Sequence, residues 1–231
     1  MSRYVVARTP TPLFNIPNFA PLLREEKLPL EMIALPRTKF SVLEEISETI
    51  LKAVTNDYPH GPVYLDVRFT RGTEEHTPER AKTLPSKWEI LKNLKRTIGL
   101  PYLWGGNHSP GIPEFSLFYK NLNKRILQGV DCSGLLYEAT SGWTPRNTSE
   151  LYLFGEEIAS YRDPIHEICQ RVKRLDILVW PGHVIIVYDK ETTIESLEGK
   201  GVLFQPLEAR ISSLQPHTCF SLRRIFPNTA L

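Results

Sequence analysis

The sequence predicts an α+β chain, with short strands first, helices from about residue 86, and an antiparallel run of strands at the end. Three observations carry this. Val63-Tyr64-Leu65-Asp66-Val67-Arg68-Phe69 alternates apolar and polar residues with period two. Trp88, Leu91, Leu94 and Ile98 recur at helical spacing behind Ser86, a good N-cap. From Asp176 to Leu197, three strand-like runs are separated by Pro181-Gly182 and Asp189-Lys190-Glu191. Helices followed by a meander of strands make an α+β arrangement.

The 231 residues suit one large domain or two small ones, and 41% apolar content supplies a core. The net charge is +2, and both signs are mixed along the chain. No basic stripe points to nucleic acid or to an anionic membrane. The start of the chain reaches Arg8 and Pro10 before an apolar run forms, and no stretch of 18 apolar residues follows. The expectation is therefore a cytoplasmic protein, and a monomer, with no signal peptide and no membrane span. Cys132, Cys169 and Cys219 are odd in number and lack Cys-x-x-Cys spacing, which excludes a disulfide framework and a zinc site. No metal and no cofactor is expected.

In order, residues 1–80 read as a small β-rich domain. Tyr4–Ala7, Phe40–Leu43, Ile50–Val54 and Val63–Phe69 are its strand candidates. Ser41–Ala53 also reads as an amphipathic helix, because Leu43, Ile46 and Ile50 lie at helical spacing. The polar stretch 70–86 is the domain boundary, leaving 86–231 as the second domain. A helix from Ser86 stops at Gly99 and Pro101. Pro101-Tyr102-Leu103-Trp104-Gly105-Gly106 follows, whose glycines mark a tight turn or let the backbone approach a ligand closely. Residues 107–129 read as a long insertion with one helical turn near Phe115, a length that is unusual unless functional. Thr148 or Ser149 caps a helix through Leu151 and Phe154, and Pro164–Gln170 forms another. Strands are expected at 176–180, 183–188, 192–197 and 219–225.

Asp131-Cys132-Ser133-Gly134 opens a helix, with Asp131 as N-cap and Leu135, Leu136 and Ala139 at helical spacing. Cys132 then sits in the first turn, where free N–H groups and the helix dipole favour an anion. Such a thiol titrates at about 3.5–7.5, and the same N–H groups suit an oxyanion. A cysteine at a helix start is also a common inert core residue. A thiolate nucleophile needs a base and a group to orient that base. His183 begins an apolar strand, and pairing Val187 near Thr192 brings it beside Glu195, an acid that would fix the imidazole tautomer. A register slip of one residue would present Ser196 instead. Cys169 and Cys219 read as core. His60, His76, His108, His166 and His217 have no motif partner, although His108 borders the glycine pair. Trp88, Trp143 and Trp180 read as packing residues.

PYLWGG, GVDCSGLLY and DILVWPGHVIIVYD followed by TIESLEGKGV, in this order, resemble the NlpC family of papain-like cysteine peptidases, across roughly residues 86–225. The resemblance implies a papain-like catalytic domain of helices and antiparallel sheet, preceded by an SH3-like domain that restricts the substrate. It implies Cys132 as nucleophile, His183 as base, Glu195 as third member, and Tyr102 beside the oxyanion, with Trp104 next to it on the substrate side. It places Asp131 and Ser133 where members with an SH3-like domain hold the free amine of a peptidoglycan stem peptide. The implied activity is hydrolysis of the γ-D-glutamyl–diaminopimelate bond in a bacterial murein-recycling enzyme. An amidase or acyltransferase on the same Cys-His frame, and a non-catalytic wall-binding module, are the alternatives. The chain departs from the family in the long 107–129 segment, the short link from Trp180 to His183, and the glutamate at 195.

Overall fold

Among the described residues, alternating side chains build two large antiparallel sheets, one in each unit of the chain, and a two-stranded β-ribbon in the first. The computed structural model describes residues 3–18, 29–119, 126–214 and 218–226. The first unit is Met1–Thr83 with Leu103–Val130, and the second is Leu84–Tyr102 with Asp131–Leu231. Among the described residues the chain runs β1 (Tyr4–Ala7), β2 (Thr11–Phe14), β3 (Leu30–Ala34), β4 (Lys39–Glu45), β5 (Ile50–Thr55), β6 (Tyr58–Asp66), β7 (Thr70–Thr73) and α1 (Lys87–Arg96). It continues with β8 (Asn107–His108), α2 (Phe115–Phe118), β9 (Gly129–Val130), α3 (Cys132–Ala139), α4 (Thr148–Leu151), β10 (Glu156–Ser160) and α5 (Ile165–Arg171). It closes with β11 (Ile177–Trp180), β12 (His183–Val187), β13 (Thr192–Leu197), β14 (Gly201–Pro206), α6 (Leu207–Leu214) and β15 (Ser221–Arg224).

The first unit carries a seven-stranded sheet in the order β3-β2-β6-β5-β4-β1-β7. Ser41–Ala53 is a β4–β5 hairpin, not a helix, with Val42 opposite Ala53. The Ser47 hydroxyl takes the N–H groups of Thr49 and Ile50 (3.3 and 3.2 Å), a local turn that competes with helix. The strand expected through Phe69 stops at Asp66. There the carboxylate accepts the Arg68 N–H at 2.9 Å, and Val67–Phe69 becomes a single 3₁₀ turn.

The division differs from the contiguous one expected in its treatment of residues 103–130. Ile112, Phe115 and Leu127 join Phe14, Leu30, Ile33 and Phe69 in one buried cluster of the first unit. The Asn107 amide bonds both the N–H and the carbonyl of Ile33, each at 2.8 Å. The described parts of this segment are thus anchored in a core. Residues 120–125 lie outside the described residues. Gly105 and Gly106 serve the same packing: a Cβ would stand 2.2 Å from the Leu30 carbonyl oxygen at the first and 2.7 Å from that of Gly129 at the second. The close approach is to the chain's own backbone.

In the second unit α1 begins with a full capping box between Ser86 and Glu89. A six-stranded sheet runs β10-β15-β11-β12-β13-β14, all antiparallel. On it, α3 packs against α1, β12 and β13, while α6 packs against α5, β13 and β14. Leu207, Ile211 and Leu214 of α6 meet Ile168, Leu178, Ile185 and Val187 in the core. β10, β14 and α6 go unmarked in the sequence reading. No helix among the described residues is long and apolar enough to cross a membrane.

Candidate active site

Asp131 caps α3 as expected, its Oδ1 accepting the Gly134 N–H at 2.6 Å. Cys132 follows as the first helical residue, 6% exposed, with a free thiol. Its sulfur lies 3.9 Å from the Gly182 carbonyl, and the N–H groups of Ser133 and Val184 bond to it. The thiol therefore lies beside the backbone immediately before His183. β12 and β13 pair at Ile186–Ile194 and Val187–Thr193, close to their turn. That register does not extend to Val184, whose backbone N–H favours the anionic form of the thiol.

Burial, and then the Asp131 charge, push the Cys132 thiol up to about 12. The N–H donors and the Arg146 charge pull the other way and are outweighed. This corrects the expectation of a thiol at about 3.5–7.5 from the helix terminus alone. In the resting site the sulfur carries its proton.

His183 and Trp180 flank the two-residue Pro181-Gly182 turn, with ring centroids 5.1 Å apart. The turn is held from α4, where Thr148 Oγ1 accepts the Gly182 N–H at 3.0 Å. Thr148 is thus not an N-cap; Asn147 holds that position. Continuing the β12–β13 register sets His183 diagonally across from Glu195. Their Nε2 and Oε2 atoms are 2.7 Å apart, so the carboxylate occupies that ring nitrogen. Glu195, not Ser196, is the residue brought to the histidine. Its carboxylate is fully buried and accepts from Gln205 Nε2, from Arg210 Nε (2.6 Å) and from Arg210 Nη2 (2.9 Å). Burial raises the Glu195 carboxyl, but the bonds from His183 and Arg210 outweigh it and hold it below the usual carboxylate range.

Asp131 and Ser133, expected to hold a peptide amine, face a different partner. Arg146 Nη1 donates to Asp131 Oδ1 (3.0 Å) and to Ser133 Oγ (2.8 Å), and Nη2 donates to Asp131 Oδ2 (2.6 Å). The three residues form a buried, charge-neutral unit, with Arg146 2% exposed and its Nε without a partner. An amine would have to compete with a guanidinium already in place. Tyr102 lies within electrostatic range of Cys132 and Asp131. Burial, then those charges, raise its phenol far above the ordinary value, so the hydroxyl remains a donor. Trp104 belongs to the first unit and is 62% exposed.

Sequence reasoning missed Arg146, Gln205 and Arg210. Arg146 lies in the link between α3 and α4, Gln205 on β14 and Arg210 on α6, and nothing in their spacing from the motifs marks them; the partners appear only in three dimensions. Two further readings change. Cys219 is exposed rather than core, and Trp88 is 67% exposed with the Lys92 ammonium over its ring. His217 lies outside the described residues. Among the described residues no group of His, Cys, Asp and Glu side chains is arranged to hold a metal ion.

No protein-family model and no curated protein sequence matches the chain. Among solved structures it is similar to an NlpC/P60 family protein from Bacillus cereus, at 18% identity and TM-score 0.44. That match covers 97% of this chain, which spans 63% of the length of the Bacillus protein. NlpC1 from Trichomonas vaginalis aligns at 14% identity and TM-score 0.42, over 99% of this chain and 70% of that one. RipD from Mycobacterium tuberculosis, described as a non-catalytic NlpC/p60 domain protein adapted to peptidoglycan binding, aligns at 19% identity and TM-score 0.41, over 61% of this chain and 97% of that one.

Proposed function

We propose that this chain is a cysteine hydrolase of the endopeptidase type, acting on peptidoglycan stem peptides at the γ-D-glutamyl–diaminopimelate bond. The observation that carries the chemistry is the Cys132 thiol at the Gly182 carbonyl, next in the chain to a histidine whose Nε2 rests on a buried glutamate. The substrate class is supported by the motif resemblance across residues 86–225.

On this reading Cys132 attacks the scissile carbonyl while its proton passes to His183, because the resting thiol is protonated rather than a standing thiolate. Tyr102, still carrying its phenolic proton, donates toward the developing oxyanion. His183 returns the proton to the departing amine, leaving a thioester on Cys132. It then takes a proton from the water that releases the acyl group and regenerates the thiol. Glu195 holds the imidazole in one tautomer throughout. The first unit is read, through the resemblance alone, as an SH3-like module restricting substrate. With Asp131 and Ser133 closed on Arg146, the reading asks for no free peptide amine.

The test is mass spectrometry of L-Ala-γ-D-Glu-diaminopimelate tripeptide and its muramyl-linked form, incubated with the protein and with Cys132→Ala. Cleavage of both substrates, lost in the variant, is expected. Cleavage of the free tripeptide alone would restore an amine-binding role to Asp131. Binding of either peptide without cleavage would replace the peptidase by a wall-binding module.

A further inference from the structure

We infer that Arg210 is the permanent counter-ion of Glu195, and that it leaves His183 free to alternate between neutral base and imidazolium. This rests on the reading of His183 as the proton carrier. The site poses an electrostatic problem that the histidine does not solve alone. A fully buried carboxylate needs a cation beside it. If His183 were that cation, it would be held as imidazolium and have no lone pair for the Cys132 proton.

Arg210 removes the conflict by geometry. Its Nε and Nη2 span both oxygens of Glu195 as a fork, at 2.6 and 2.9 Å, while Nη1 reaches Ser213 Oγ at 3.3 Å. A guanidinium does not lose its proton in this setting, so the carboxylate stays paired whichever state the imidazole adopts. The sheet register supplies the rest. Glu195 lies opposite Leu203, and Thr193 opposite Gln205, so the Gln205 amide shares a face with Glu195 and takes Oε1.

Around the His183–Glu195 pair, β11 presents the uncharged Trp180 ring and β14 the uncharged Gln205 amide. α3 sets the Cys132 thiol at the Gly182 carbonyl, with Asp131 and Arg146 paired to each other beside it, and α6 presents the Arg210 guanidinium. Among the described residues, Arg210 is therefore the constant positive charge on the carboxylate. In the proton cycle, the Cys132 proton moves to His183 Nδ1 as the S–C bond forms and leaves with the amine as the C–N bond breaks. Glu195 accepts no proton at any step. Arg210 is a positioning residue, since it acts through Glu195 and His183.

The experiment is an NMR titration of ring-labelled histidine in the full chain, with His183 assigned by the signal lost in His183→Gln. In Arg210→Ala the His183 midpoint should rise by about one pH unit above wild type, because the unbalanced carboxylate now favours the imidazolium. Arg210→Lys, which keeps the charge, should stay nearer to wild type. In a Glu195→Gln background, Arg210→Ala should leave the midpoint where it was. An unmoved midpoint in folded Arg210→Ala overturns the inference, as does an equal shift in the Glu195→Gln background. Should Arg210→Ala fail to fold, Arg210→Gln carries the same expectation, since it keeps a donor but no charge. Peptide hydrolysis is followed in parallel. A shift without hydrolysis in wild type removes the peptidase reading and keeps the counter-ion; hydrolysis without a shift does the reverse.

Discussion

Arg146 keeps its charge in a place where only 2% of it meets solvent, because Asp131 accepts both of its η nitrogens. The pair does three things at once. It holds the N-cap of α3, it offsets a negative charge beside Cys132, and it occupies the hydroxyl of Ser133. Arg146→Ala leaves a buried carboxylate without its cation, and the expected loss is about 3–5 kcal/mol in urea unfolding. A loss below about 1 kcal/mol would mean that water or another group takes the place of Arg146. The same environment explains why a thiol at a helix terminus sits high. Few N–H donors reach it, and the adjacent carboxylate and burial act against ionisation.

At the scale of elements, the site depends on how the segment after α1 meets β14. The Gly99 N–H bonds the Val202 carbonyl, and the Val202 N–H bonds the Leu100 carbonyl, each at 2.9 Å, just ahead of Tyr102. Gly201 makes this approach possible: its φ is +74°, and a Cβ there would stand 2.1 Å from the Leu100 oxygen. Gly199 has a similar φ of +77° with open space around it. Gly201→Ala should therefore cost more than Gly199→Ala, with roughly 1 kcal/mol expected for the latter and at least about 2 kcal/mol for the former. Parallel urea melts compare the two, and equal losses would show that the Leu100 contact yields without cost. The β12–β13 hairpin works by the opposite principle. Its ladder is short and leaves His183 free of strand pairing to β13, with its ring on Glu195.

Across the whole molecule, the two units each hold a buried carboxylate bound by cations. Asp57 in the first meets Arg80 (3.2 Å) and Lys82 (2.9 Å), and Glu195 in the second meets Arg210. Burial raises both carboxyls, but the bonds and charges of their partners outweigh it, so both titrate below their ordinary values. A depressed carboxyl stabilises the fold above the unfolded carboxylate value, and that contribution is lost as pH falls through the folded one. The urea midpoint should thus decline from about pH 5 downward, with a smaller decline in Glu195→Gln. A midpoint that is flat to about pH 3 would contradict the assignment.

Local elements that depend on near neighbours are legible in the letters of the chain. The Ser86 cap, the Asp131 cap, the strands at Tyr4 and around Ile177–Val187, and the positions of Cys132 at a helix start and His183 at a strand start all follow from spacing over a few residues. Periodicity also carried the α+β class, because a period of two and one of 3.6 are distinct in the letters. What rests on distant partners takes shape only when the chain closes on itself. That closure turned Ser41–Ala53 into a hairpin, took Phe115 and its neighbours into the first unit, and set Arg146 on Asp131 and Arg210 on Glu195. It also reversed the expected titration of Cys132. A helix terminus is visible in sequence, whereas desolvation and the sum of surrounding charges exist only once the chain has closed around the sulfur.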